Sequence, residues 1–161
     1  MPSGQTGDPG ALRLVAPTSP AWQSSGSHRV YVCDDVLFWA AQGPMIVADF
    51  VTLYEQRAIL QRQYGYALLL FDCRQHGGVP AESRRFLATQ RSELSPIGSV
   101  VVFGASLLIR AAVSLIQGAA RHLGRTQQTR LIFTGDEATS WQIVSAERLA
   151  LRARTLPSPQ P

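Results

Sequence analysis

The sequence predicts an α/β fold, in which an N-terminal β-hairpin is followed by three β-α units, forming a mostly parallel mixed sheet of about five strands covered by about four helices. Three observations predict it. Residues 66–71, 100–103 and 131–134 are apolar runs too short for helices, of the kind a sheet buries on both faces. Segments of helical spacing or helical length separate them. Buried strands joined in this way require parallel crossovers, which are right-handed in nearly all sheets.

The elements follow in order. Residues 1–27 hold four of the ten prolines, with Gly, Ser and Thr between them. Such a stretch cannot bury enough apolar surface to offset chain entropy, so a disordered arm is expected there, with Leu12, Leu14, Val15 and Trp22 as its apolar residues. The domain is expected over 28–151. Two β-prone runs, 29–33 and 36–41, flank Asp34 and Asp35 and read as an antiparallel hairpin, stopped by Gly43 and Pro44. From 49 to 64, Phe50, Leu53, Tyr54, Ala58, Leu60 and Tyr64 gather on one half of a helical circumference, and Gly65 ends the helix. The strand 66–71 comes next. Gly77 and Gly78 form a loop, Pro80 suits a first helical position, and Glu82 complements the dipole of a helix that runs to about Glu93, before Pro96. After the strand 100–103, residues 106–123 form a helix that is apolar almost all round. Following 131–134, Asp136 is placed to cap a last helix through Trp141 to about Leu151. Residues 152–161 read as a flexible tail.

Composition narrows the function classes. Apolar residues make up 45% and charged residues 16%, which fits a compact body. The net charge of +4 looks basic, yet residues 28–150 carry 12 arginines against 10 acidic residues, and the rest of the excess sits on the ends, chiefly Arg152 and Arg154. No element interleaves a row of arginines with aromatics, so nucleic acid is not an expected partner. There is no Gly-x-Gly-x-x-Gly and no lysine at all, so a phosphate loop has no cation to use. Cys33 and Cys73 are the only cysteines and read as reduced thiols. Residues 1–10 lack a charged start followed by an apolar run, so a cytoplasmic location is expected. The weakly charged stretch 99–120 is not expected to span a membrane. Gly104 splits it, Val100, Val101, Val102 and Phe103 favour a strand, and a central Arg110 would cost about 2.5–3.5 kcal/mol on insertion scales.

An N-terminal hairpin, an apolar strand ending in Asp72, the segment Pro80-Ala81-Glu82-Ser83-Arg84, a Val-rich strand and Glu137-Ala138 before Trp141 together resemble STAS-type domains. Within them, the match is to the stage II sporulation protein AA-like branch, related in fold to anti-sigma-factor antagonists. The resemblance spans 28–151 and rests on pattern and order. It implies a regulatory or protein-interaction module of a bacterial cytoplasm, and because the residues offer no complete active site, nucleotide motif or metal-ligand set, a non-enzymatic module with no cofactor and no metal is expected. Such antagonists carry a phosphorylatable serine in an Asp-Ser-Ser-Gly turn where this strand feeds its helix. Here the window reads Pro80-Ala81-Glu82-Ser83. Ser83 is a displaced candidate acceptor, and Glu82 puts a fixed negative charge near the site the phosphate would occupy; the plain alternative is that Glu82 only serves the helix dipole.

In an open parallel sheet, ligands meet the C-terminal strand edge, where loops surround helix N-termini. Asp72, Cys73, Arg74, His76, Glu82, Ser83, Arg84 and Ser106 are therefore the candidate interaction or ligand residues. Cys73 and His76, three apart, are the spacing of a thiol with its base or half a metal site, although His28 and His122 lie in other contexts. The plain alternative is a buried, inert Cys and a surface His. Asp72 reads as a partner for backbone N–H groups or for Arg74 or Arg84. Leu107, Leu108, Ile109, Val113, Leu115 and Ile116 make the long helix apolar on nearly every side, which implies a contact beyond the sheet. The leading expectation is a module that binds another cytoplasmic protein or a second copy of itself. The alternatives are a carrier of a small apolar or lipid-like ligand and, third, an enzyme using Cys73, His76 or Asp72.

Overall fold

A computed structural model of the protein describes residues 22–89, 98–122 and 129–155. The hairpin forms where the Asp pair predicts it. β2 (His28–Cys33) and β3 (Val36–Gly43) are antiparallel, Cys33 faces Val36, and Asp34 takes the left-handed turn conformation at φ 51°. From β3 onward every pairing is parallel, through β4 (Ala67–His76), β5 (Gly98–Phe103) and β6 (Thr129–Phe133). The three apolar runs are thus side-by-side parallel strands, in the spatial order of the sequence.

One strand was not expected. β1 (Gln23–Ser25) pairs antiparallel with β2, so the described sheet has six strands, and residues 23–25, expected in the arm, belong to it. An edge strand needs only backbone partners on one side, which composition does not reveal. Trp22 supplies the burial, its ring 5.7 Å from that of Tyr31 and edge-on to Phe38 at 5.0 Å. Residues 1–21 and 156–161 lie outside the described residues, as does the expected end of the second helix near Glu93.

Helix α1 (Val47–Tyr64) opens with the Ile46 N–H donating to Asp49 at 2.8 Å. It closes on Gly65, whose φ of 80° lets its N–H reach the Gln61 carbonyl. Phe50, Leu53 and Leu60 are buried as the periodicity predicts. Arg57 is buried on the same side, its Nη2 donating to Thr129 Oγ1 at 3.2 Å, and burial pulls its guanidinium down to about 10. Helix α2 (Ala81–Thr89) begins one residue after Pro80, whose carbonyl accepts from the Arg84 N–H. Helix α3 (Leu107–His122) is capped by Ser106 Oγ, and α4 (Glu137–Thr155) by Asp136, which accepts from the Thr139 N–H at 2.8 Å.

Strand alternation sends side chains to two cores. Leu37, Trp39, Leu69, Phe71 and Val102 face α1, α2 and the inner side of α3, while Phe38, Leu68, Leu70, Val101 and Phe103 face α4. Each large side chain so buried contributes ~1.5–3 kcal/mol. The layers are unequal, because among the described residues α4 is the one helix on its side, where it covers β4 and β5.

At the N-terminal end of the parallel strands is a buried polar knot. Asp35, fully buried, accepts from Tyr66 Oη at 2.5 Å, from Arg148 Nε at 2.7 Å and also from Arg148 Nη2, with Arg152 Nη2 at 3.3 Å. Arg152 Nε also donates to Tyr66 Oη at 3.1 Å. The expected helix end at Leu151 is corrected: α4 runs through Thr155, so residues 152–155 are helical, and Arg152 in its last turn bonds Asp35 and Tyr66.

Candidate functional site

The C-terminal strand edge carries a second, open ion cluster. Arg74 closes a fork onto Asp72, with Nε at 3.0 and 3.1 Å from the two carboxylate oxygens and Nη2 at 2.7 Å, while the Arg74 backbone N–H donates to the same carboxylate at 2.9 Å. Nη2 also reaches Glu137 Oε2, in the first turn of α4, at 3.1 Å. Hydrogen bonding to Asp72 holds the guanidinium above its ordinary value. Its carbon sits 5.0 Å from the Phe103 ring centre. Gly104 makes room for this arrangement. It takes φ 69°, and a Cβ there would stand 2.5 Å from Arg74 Cγ and 2.9 Å from Arg74 N.

The structure brings some of the expected edge residues together and separates others. Asp72 and Arg74 project to the α4 face. Cys73, one residue between them, points the opposite way into the α1-side core, so its expected place on the ligand edge is corrected by strand alternation. Burial, and then the Asp72 charge, push its thiol up to about 12. His76 accepts from the Gly78 N–H through Nδ1 at 2.9 Å, and burial followed by the nearby His28 ring holds it below its ordinary value. Glu82 and Arg84 are exposed on α2, whereas Ser83 is 1% exposed, so its expected availability as a phosphate acceptor is also corrected: it faces inward. Ser106 serves as the α3 cap. Among the described residues no group of three or more His, Cys, Asp or Glu could hold a metal ion.

A cleft of about 380 Å³ opens beside the ion cluster on the α4 face. Tyr31, Phe38 and Ala40 are on the sheet beneath it, with Trp22 and Trp141 beside them. The Phe38 and Trp141 rings are parallel within 8°, with centres 5.9 Å apart. Arg29, Asp72, Arg74 and Glu137 supply its charges. Sequence reading missed this site. Its signal was an aromatic recurring on β2, β3 and α4 and in the supposed arm, which no single segment displays.

Helix α3 divides as an outer and an inner side. Ile109 packs on the α1-side core and Val113 is half-buried, while Leu107, Leu108 and Leu115 are 86%, 80% and 75% exposed. The Ile116 side chain lies outside the described residues. Arg110 ties the start of the helix to the sheet edge, donating to the carbonyls of Ala105 and Thr134 at 3.2 and 3.1 Å. Among the described residues no helix is long and apolar enough to cross a membrane.

No family model matches the chain, and no curated protein does. A search of solved structures finds similarity to an uncharacterised DUF3478-family protein from Shewanella loihica PV-4, itself described as having a SpoIIAA-like fold, at 18% identity and a TM-score of 0.39, over 76% of this chain and 98% of that one.

Proposed function

We propose that the protein is a non-enzymatic STAS-like regulatory module that docks another protein in the cytoplasm through the outer face of α3 and the neighbouring sheet edge. The observation that carries this reading is the row Leu107, Leu108 and Leu115, three large apolar side chains left in water on a helix whose inner side is already packed. Leu107, Leu108 and Leu115 recur on one face of the helix, and contiguous exposed apolar patches mark interaction sites. The non-enzymatic part rests on the chemistry at the edge. A thiol at about 12 is protonated at neutral pH, and both Asp72 oxygens already accept from Arg74, which makes Asp72 an ion-pair partner at the cleft rim and not a poised base.

The test compares captures from a native lysate by the wild-type chain and by L108E/L115E. Surface changes of this kind shift stability by about 0.5 kcal/mol or less, so the variant should melt like the wild type. The expected result is a partner enriched by the wild type and lost from the variant. Equal capture by both, or no capture by a folded wild-type sample, rejects the reading.

A second reading, carriage of a small ligand, has the cleft in its favour, since ~300–1,000 Å³ is the usual size of such sites. The greasy helix gives it no support, because the leucines of α3 face outward and do not line the cleft.

A further inference from the structure

The cleft has a charge pattern written into the sheet register. Arg29 pairs with Ala40 across β2 and β3, and Ala40 pairs with Asp72 across β3 and β4, so a cation and an anion flank a methyl group in one row. Two strand spacings separate their Cα atoms, about 9–10 Å. Arg29 and Asp72 make no ion pair with each other. The guanidinium carbon of Arg29 lies 4.9 Å from the Trp22 ring centre, and no carboxylate of the described residues is within ion-pair distance of it. On the other side Asp72 and Glu137 share the single guanidinium of Arg74. One rim therefore carries a formal excess of one negative charge and the other of one positive charge, over a gap that Ala40 is too small to fill.

The row nearer the sheet centre is aromatic. Tyr31 pairs with Phe38, and Trp22 and Trp141 both contact the Phe38 ring. A ligand that matched both rows would present an ammonium to Asp72 and Glu137, a carboxylate to Arg29, and a flat apolar body to the rings. We infer that the cleft binds an aromatic α-amino acid as its zwitterion. This deepens the small-ligand reading and stands apart from docking on α3, which uses the opposite side of the sheet.

Tryptophan emission reads the site directly, because two of the three tryptophans line it and the third, Trp39, is fully buried in the other core. Phenylalanine, which does not emit in the tryptophan band, is the probe. Titration of the full chain should give a saturable change with phenylalanine. Binding should be about tenfold weaker or more with 3-phenylpropionate, which lacks the ammonium, with 2-phenylethylamine, which lacks the carboxylate, and with glycine, which lacks the ring. R29Q should weaken phenylalanine but leave 2-phenylethylamine unchanged, and A40L, which fills the gap, should abolish the response to both. Equal binding of phenylalanine and its two single-charge analogues overturns the zwitterion inference and leaves carriage of an apolar ligand standing. No response to any of the four by a folded sample overturns both.

Discussion

At the N-terminal end of the parallel strands Asp35 is fully buried and meets Arg148, itself 2% exposed; at the C-terminal end Asp72 meets Arg74, whose side chain is 57% exposed. The residue types are alike, although Arg148 puts two nitrogens on one Asp35 oxygen while Arg74 spans both oxygens of Asp72, and the burial is opposite. A buried pair stripped of one partner leaves a charge that water cannot reach, whereas an exposed pair is re-solvated at little cost. The first end is therefore built to hold the fold. The second borders the cleft and is only partly covered, so its charges stay within reach of solvent.

The largest expected effect breaks the first end. D35A leaves the buried Arg148 with only the exposed Asp34 at 3.8 Å and should destabilise by about 3–5 kcal/mol, read from urea midpoints, and D35A/R148M should recover most of that loss because the poorly paired charge is gone. Next is G104A, which puts a side chain at φ 69° and drives Cβ into Arg74; a loss of about 1–3 kcal/mol is expected from the same measurement. D72A should cost no more than about 1 kcal/mol. A D72A loss equal to that of D35A would erase the distinction between the two ends.

Two pH experiments sharpen it further. Burial, followed by the bond to Asp35, raises the Tyr66 phenol from 10.0 to about 12. The folded state then holds a proton that the unfolded chain releases, so this contribution is complete below pH 10 and is lost as pH rises towards 12. Urea midpoints over that window should fall in the wild type and fall less in Y66F. The smallest effect belongs to Cys73. In a C33S background, thiol labelling of native Cys73 should be slow at neutral pH and accelerate only in strong alkali or on unfolding, and rapid neutral labelling would return Cys73 to the ligand edge.

Strand order was legible because three short apolar runs between helical segments admit few parallel topologies, and residues 66–71, 100–103 and 131–134 are in the paired strands apart from Tyr66 and Thr134 at their ends. The hairpin around Asp34 and Asp35 was legible as a turn, but not as the seat of a buried carboxylate. Its partners Arg148 and Arg152 lie 113 and 117 residues away, and Arg152 was expected in the tail. Asp72 and Arg74 were found at the edge by their position after an apolar run. Cys73 was misplaced with them, because adjacency in sequence is opposition in a strand.

By itself the sequence determined the local terms: where apolar runs demand burial, where glycine and proline end an element, and which helix keeps leucines to spare. Those depend on residues within a turn or two of each other. Only the tertiary structure decided which charges are dry and which are wet, and that Arg29, Ala40 and Asp72 form one row. These relations exist across strands, between residues whose distance along the chain says nothing about their distance in space.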